Sequence, residues 1–359
     1  MITTINPEDW KVEPIKRISP SRFSNVNDCT LREIWSSNKK ENLMGNHPDA
    51  VLGSIIHMMF ENYVKSSGNF DFENVWSSVE KKFINDNLDV VPLSKTSSYY
   101  WVKKELAKRY IEKGQLRTHT KNAVNYKAEE WLESKSKKVG GIIDLIRYNN
   151  DQLSLMDFKT GKVYDNDGRI KENYEIQLKL YAALSSENKK TNYKWPDHLF
   201  LIDKNGKYCE IKYSEEEASK LLLEAETLLD DINKRINSGS SDAFEFAVTG
   251  EYCSFCQFRP ACVKFREQPV SFDYLEDIYG EVIDIKEFSN GNHKIYFKNN
   301  KSVLINAVYT SGINNEIIEL KKMGTGNTLF LLTNCIKNDS MPNQYKASKR
   351  TLIFEIVSV

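Results

Sequence analysis

"GGIIDLIRYNNDQLSLMDFKTGK", Gly140 to Lys162, contains two apolar runs shaped like buried strands, and each carries a carboxylate, Asp144 in the first and Asp157 in the second. Lys159 follows two residues later. An ionised carboxylate inside a sheet is costly unless it is paired or bound to a metal. Asn149-Asn150 reads as a two-residue turn, because Asn accepts positive φ, and this pairs Tyr148 with Asp151 and Asp144 with Leu155. Side chains alternate along a strand, so Asp144, Leu155, Asp157 and Lys159 then share one face. A three-residue turn sends the two aspartates to opposite faces. The two-residue register therefore gathers two hard oxygen donors and an ammonium, a set that suits Mg²⁺ or Mn²⁺. Such an ion polarises a phosphodiester and acidifies water, and Lys159 beside it would orient the nucleophile and offset developing charge. A bare Asp-x-Lys is common as a structural ion pair. Gly-x-x-Asp, twelve residues and then Asp-x-Lys is far more specific.

The chain around this hairpin has 359 residues, enough for two domains, and 40% apolar residues, enough for a sizeable core. Fifty basic residues balance fifty acidic ones, so no polyanion partner is implied by overall charge, although a local basic groove suffices to bind phosphates. "MITTINPEDWKVEP" lacks a signal pattern and no run approaches a membrane span, so the expectation is a soluble cytoplasmic protein. Six unevenly spaced cysteines in such a chain point to metal or redox chemistry rather than disulfides.

Ser19 to Trp35 reads as a capped helix start carrying Cys29. In "VLGSIIHMMFENYVK" the residues Leu52, Ile55, Ile56, Met59, Phe60 and Tyr63 form an apolar helical stripe, while Gly53, His57 and Glu61 lie on another face. One long helical stretch is expected from Val75 to Lys113; it includes "SSYYWVKKELAKRYIEK", whose interleaved aromatics and lysines suit either a nucleic-acid groove or an ordinary solvated face. A polar loop, the helix "YEIQLKLYAALSS", the hairpin "HLFLIDKNGKYCEIKY" and a charged helix from Glu215 to Asn237 follow the opening hairpin. From about Ser271 the chain alternates in short strands, "GEVIDIKEF", "HKIYFKN", "SVLINAV", "TLFLLTNC" and "TLIFEIVSV", with a helical "NEIIELKKM" before the fourth. That order predicts a small all-β OB-like barrel.

The pieces "GSIIHMMFE", "GGIIDLI", "LMDFKTG" and "QLKLYA", in this order, resemble the PD-(D/E)XK nucleases of the RecB type. The resemblance implies a restriction-endonuclease-like α/β core, a central mixed sheet flanked by helices. It also implies that His57, Asp144 and Asp157 bind the metal, that Lys159 is catalytic, and that Gln177 and Tyr181 support the site from a helix. Gln177 and Tyr181 are spaced i, i+4, consistent with one helix face. Glu61, Glu129 and Glu130 are further carboxylates near the site to which no role is assigned.

"CSFCQFRPAC" sets Cys253, Cys256 and Cys262 in a C-x2-C-x5-C array, and Cys29 is the natural fourth ligand. One early cysteine and a late cluster bracketing the nuclease motifs resemble the iron–sulfur staple of AddB-type nucleases, and also the four-cysteine CRISPR-associated nucleases with their eukaryotic helicase-linked relatives. The resemblance implies a [4Fe–4S] cluster; zinc is the chemical alternative, since four thiolates suit both. Cys209 and Cys335 read as core.

The expectation is a nuclease domain over 1–270 with an iron–sulfur cluster, and a barrel domain over 271–359. The resemblance implies a metal-dependent deoxyribonuclease, an exonuclease on single-stranded DNA or DNA ends, in repair and recombination, CRISPR adaptation or anti-phage defence. No Gly-x4-Gly-Lys-Ser/Thr occurs, so a helicase or ATPase would be a separate partner. The rival readings are a non-catalytic nucleic-acid-binding module and a helicase-recruiting adaptor on the same fold.

Overall fold

In this computed structural model the described residues are 2–66, 70–87, 93–97, 99–112, 124–239, 243–268, 270, 272, 275–298, 305–310, 316–317, 319–320, 328–348 and 350–357. The first strands are β1 (Thr3–Ile5), β2 (Val124–Glu133), β3 (Gly140–Asn149), β4 (Gln152–Lys159), β5 (His198–Asp203) and β6 (Tyr208–Ile211). Then come β7 (Leu275–Glu287), β8 (His293–Lys298), β9 (Ile305–Thr310), β10 (Leu329–Lys337), β11 (Gln344–Lys346) and β12 (Ile353–Ile356). The helices begin with α1 (Phe23–Asp28), α2 (Thr30–Ser37), α3 (Pro48–Lys65), α4 (Phe72–Asn87) and α5 (Leu93–Thr96). They continue with α6 (Tyr100–Glu112), α7 (Glu172–Glu187), α8 (Glu215–Asn237), α9 (Ala243–Phe246) and α10 (Val263–Glu267).

Two compact units emerge. One holds residues 14–27 and 45–238; the other holds 1–13, 28–44 and 239–359. Residues 239–270, expected with the nuclease core, lie in this division with the C-terminal strands. So do residues 1–13, because β1 pairs in parallel with β12.

The first unit is built on a mixed sheet in the order β2-β3-β4-β5-β6. Only β4 and β5 run parallel, and the chain between them contains α7, the crossover that parallel neighbours require. The apolar alternation of β4 resolves its two faces. Met156 and Phe158 pack with Ile55, Ile56, Met59 and Phe60 of α3, while Asp157 and Lys159 turn to Gln177 of α7. All six residues of the expected α3 stripe are buried. The long helical stretch expected from about Val75 to Lys113 comprises α4, α5 and α6, with residues 88–92, 98 and 113 outside those described.

The hairpin turn falls one residue later than expected, on Asn150-Asp151, with Asn150 in the left-handed region at φ +54°. Tyr148 therefore pairs with Leu153 and Ile146 with Leu155, a shift of two residues in the pairing. A shift of two preserves side-chain parity, so Asp144 and Asp157 still share a face. The β3–β4 ladder ends at Leu145–Met156; beyond it the Phe158 N–H donates to Asp144 Oδ2 at 2.7 Å instead of continuing the pairing.

In the second unit the described strands pair as β7-β8-β9-β11-β10, and β10 also pairs with β7, closing a ring of five. Sequence reading had "TLIFEIVSV" as the fifth strand of this ring. Its core, β12, lies outside instead, between β10 and β1, and the fifth member is the three-residue β11. Of the expected "NEIIELKKM" helix, Glu316, Ile317, Glu319 and Leu320 are described and helical, with Ile317 and Leu320 fully buried. Residues 315, 318 and 321–323 of that stretch, and 302–304 of "SVLINAV", lie outside the described residues. The helix start expected at Ser19 to Trp35 is two helices, and Cys29 forms the break between them. Among the described residues no helix is long and apolar enough to cross a membrane.

Candidate active site and cysteine cluster

Asp144 lies just beyond the last β3–β4 pair, Leu145–Met156, and between the β2–β3 pairs made by Leu145 and Ile143, where it acts electrostatically on both Asp157 and Glu129. Three neighbouring strands thus present a row of carboxylates. Asp157 is almost fully buried, at 3% exposure. Its Oδ1 accepts a hydrogen bond from Gln177 Nε2 at 2.7 Å, and its Oδ2 lies 2.6 Å from Lys159 Nζ. That second contact is an ion pair rather than a well-directed hydrogen bond: Oδ2 is a buried acceptor with no hydrogen-bond partner. Gln177 reaches both groups, since its Oε1 accepts from Lys159 Nζ at 2.9 Å. One amide therefore sets the spacing between the carboxylate and the ammonium. The Tyr174 ring, 4.6 Å from Lys159 Nζ, covers the ammonium from the same helix.

His57 projects from α3, and its Nδ1 lies 3.2 Å from Asp144 Oδ2. Burial lowers the His57 pKa, but Asp144, through charge and hydrogen bond, together with Asp157, outweighs it and raises the imidazole to about 9. Burial also opposes ionisation of Asp144; His57 and the Phe158 N–H overcome it and hold this carboxyl below its ordinary value. Asp157 goes the other way. Burial, with Asp144 adding to it and Lys159 pulling back, raises it to about 6. Lys159 stays above the ordinary lysine value, because Asp157 and Asp144 offset its burial. Carboxylates with such divergent environments mark a functional site more often than a structural pair.

Tyr181 makes its hydrogen bond elsewhere, although Asp157, Asp144 and Glu129 act on it electrostatically. Its hydroxyl donates to the Ile142 carbonyl of β3 at 2.6 Å, one turn along α7 from Gln177. The close approach explains Gly141, where a Cβ would stand 2.8 Å from the Tyr181 hydroxyl and 3.0 Å from Pro20. Gly53 has a similar role on α3, lying against Thr160 just beyond Lys159.

Of the unassigned carboxylates, Glu129 joins the site and Glu130 does not. Burial, then Asp144 and Glu61, raise Glu129 to about 7, and its backbone sits at φ +55°. Glu130 instead pairs with Lys190 at 2.7 Å. Sequence reading missed Tyr174, although its spacing of three and seven residues from Gln177 and Tyr181 follows the helical period.

Two carboxylates and an imidazole are a donor set of the kind that binds divalent metal ions. As placed, the groups are drawn onto one another, and among the described residues no three His, Cys, Asp or Glu side chains form a set able to hold a metal ion.

The four cysteines named from the sequence fall in one unit and carry free thiols. Cys29 is the N-cap of α2 and makes no side-chain capping bond there. Cys253 lies in the 3-10 turn Glu251–Phe255, Cys256 ends that turn, and Cys262 starts α10. Burial raises Cys256 to about 12 and Cys262 to about 11, while the Phe258 and Phe265 N–H groups pull the respective thiols back. Burial likewise raises Cys253, and Cys29 adds to the rise at all three. Electrostatic interaction thus links Cys29 to the other three, and a backbone N–H group favours the thiolate at each of Cys253, Cys256 and Cys262. Cys209 and Cys335 are buried, as expected of core residues.

The family model of the PD-(D/E)XK nuclease superfamily matches residues 17–263. No curated protein sequence matches the chain. Among solved structures, a candidate exonuclease from Eubacterium rectale is similar at 12% identity and a TM-score of 0.40, over 72% of this chain and 90% of that one. The protein named SSO0001 is similar at 12% identity and a TM-score of 0.25, over 60% of this chain and 96% of that one.

Proposed function

Because the chain belongs to the PD-(D/E)XK nuclease superfamily, we propose that it is a Mg²⁺- or Mn²⁺-dependent deoxyribonuclease, acting as an exonuclease on single-stranded DNA or DNA ends. The observation that carries this reading is the Gln177 bridge, which holds a buried carboxylate and a part-buried ammonium side by side at the end of β4. What points to chemistry rather than scaffolding is that this pair stands beside a second carboxylate, Asp144, with His57 on it.

Asp144, Asp157 and His57 are the residues that would hold the cation. A divalent ion bound there supplies Lewis acidity, polarising the phosphodiester and acidifying water. Lys159 presents its ammonium beside Asp157, where it orients the attacking oxygen and balances charge that develops on the phosphate. Gln177 fixes both partners, so neither reorganises as charge moves. Tyr181 acts at one remove, tying α7 to β3.

The four cysteines support a [4Fe–4S] cluster of the RecB/AddB type, with zinc as the other centre that four thiolates accept. The five-strand ring, with helical residues before β10, supports an OB-like barrel that binds single-stranded DNA. A helicase or ATPase, or a CRISPR or defence protein, would be a separate partner of this cytoplasmic enzyme.

The test is incubation of the purified chain with end-labelled single- and double-stranded DNA, with and without Mn²⁺. Asp157→Ala is expected to abolish cleavage while DNA binding persists. Cleavage in excess EDTA, or wild-type rates from Asp157→Ala, would overturn the reading.

A further inference from the structure

Side chains alternate along β8 and β9, so Ile295, Phe297 and Val308 turn into the ring and are fully buried. Their neighbours turn outward, and the strand register lines them up across four strands. Lys286 of β7 pairs with Lys294 of β8, Lys294 with Tyr309 of β9, and Tyr309 with Lys346 of β11. Three lysines and a tyrosine thus form one row across three strand spacings, about 14 Å. Lys286 and Lys346 are exposed, and Lys294 is half-buried. Tyr296, two residues after Lys294, shares this face. Phe288, just after β7, is 42% exposed, and its ring lies 6.3 Å from that of Tyr309 and nearly parallel to it, at 13°.

Like charges directly opposite one another in a sheet are destabilising. Lys286 and Lys294 are such a pair, and neither they nor Lys346 has an ion-pair partner among the described residues. Two of the ammonium groups sit over rings instead. Lys286 Nζ is 5.4 Å from the Tyr296 centroid, and Lys294 Nζ is 5.1 Å from Tyr296 and 4.5 Å from Tyr309. Elsewhere on the ring a lysine finds an acid, as Lys337 does with Glu276 Oε2 at 3.7 Å. The carboxylates of the outward face lie beyond the row, at Asp284 opposite Tyr296 and Glu281 opposite Lys298.

A cation over an exposed ring is a weak contact, weaker than a base stacked on the same ring. Ammonium groups held in this way can turn to phosphates and leave the ring faces to bases. Unpaired lysines interleaved with aromatic rings therefore complement a chain that alternates phosphates with free, flat bases. A duplex keeps its base faces covered, and an acidic peptide would use the lysines and leave the rings idle.

Resting on the deoxyribonuclease reading above, in which the ring holds single strands, we infer that its β7-β8-β9-β11 face is the single-stranded DNA-binding surface. Lys286, Lys294 and Lys346 bind backbone phosphates, and bases stack on Phe288, Tyr309 and Tyr296. The phosphates also relieve the repulsion between Lys286 and Lys294. These residues hold substrate and take no part in the chemical step.

Binding of a fluorescein-labelled oligothymidylate to the full chain, followed by anisotropy against salt in the Asp157→Ala background without metal, tests the surface. Lys286→Gln, Lys294→Gln and Lys346→Gln should each lower the slope of log affinity against log salt by about 0.7. Phe288→Ala should weaken binding by about fivefold or more at fixed salt. Lys337→Gln, which removes one charge from a lysine already paired with Glu276, should leave the slope at the parental value. Lys286→Gln/Lys294→Gln should melt at or above the parental midpoint, because it removes a like-charge pair. A lower midpoint would mean that the lysines serve the ring itself and would overturn the surface. A triple lysine variant with the parental slope overturns it even if the protein is a nuclease. So does equal competition by a blunt duplex or by polyglutamate, and an oligouridylate bound more tightly than the oligothymidylate overturns DNA as the occupant. Lysine-dependent oligothymidylate binding in a chain that never cleaves upholds the surface and overturns the nuclease reading instead.

Discussion

Replacing Arg259 by Met should cost the C-terminal unit about 3–5 kcal/mol, the usual penalty for stranding one member of a buried ion pair. Arg259 and Asp277 have side chains only 3% and 2% exposed. The guanidinium donates from Nε to Asp277 Oδ2 at 2.7 Å and from Nη2 to Oδ1 at 3.1 Å. It also donates to the Ser254 carbonyl at 2.9 Å, the Cys253 carbonyl at 3.4 Å and Asn334 Oδ1 at 2.6 Å. Its loss leaves a buried carboxylate with only the Asn334 N–H at 2.8 Å, and deprives two carbonyls and an amide oxygen. At about 1–3 kcal/mol per deprived group the raw sum exceeds the quoted range, so local relaxation must recover part of it. A loss of this size approaches the whole stability of many domains. Burial already holds the Asp277 carboxyl above its ordinary value despite Arg259, and removing the guanidinium raises it further. A folded pKa above the unfolded one gives stability that is complete below the unfolded pKa and lost as pH rises through the folded one. The deficit of Arg259→Met should therefore widen as pH rises above the unfolded aspartate pKa of about 3.9. Urea titration followed by far-UV circular dichroism and tryptophan fluorescence reads it as a shift of midpoint. Trp10 and Trp35, which both pack on Phe258, lie in the affected unit. A variant within about 0.5 kcal/mol of wild type at pH 8 would refute the reasoning, as it would for any ordinary surface change. Arg259→Met/Asp277→Leu should be more stable than Arg259→Met alone, since it strands no charge.

Three other outcomes follow from single contacts. Gln177→Ala should reduce kcat about 10- to 100-fold with little change in DNA affinity, since it removes charge-assisted bonds worth about 1.5–3 kcal/mol; unchanged steady-state rates would refute the clamp. Gly141→Ala should destabilise the first unit by about 1–3 kcal/mol by crowding the Tyr181 hydroxyl, and Gly141→Ala/Tyr181→Phe should recover part of it in thermal melts. Cys29→Ser should remove bound metal and lower the unfolding midpoint, read by iron and zinc analysis of protein purified without oxygen; metal content and stability equal to wild type would make the cysteines core residues only.

The convergence of Asp144, Asp157 and Lys159 was legible because it depends on parity alone. Moving the turn from Asn149-Asn150 to Asn150-Asp151 changed every partner and left the face intact. The α3 stripe and α8 were equally legible, since each is a run long enough for its apolar period to stand out. The β11 strand, three residues long, has no such period, and it exists because β9 and β10 both offer it backbone partners. The longer "TLIFEIVSV" looked like the ring's fifth strand and was taken instead by β10 and β1, from opposite ends of the chain. The same limit applies inside the site. Spacing identified Gln177, but that its amide joins Asp157 to Lys159, and that Tyr181 serves the Ile142 carbonyl instead, depends on how α7 lies across the sheet. Glu129 and Glu130 are indistinguishable as neighbours in a sequence, and strand register sends one to Asp144 and the other to Lys190. Periodicity is a local property of the chain, so the sequence by itself determined which residues share a face. Pairing partners are chosen by burial and hydrogen bonding between distant segments, and those only the tertiary structure decided.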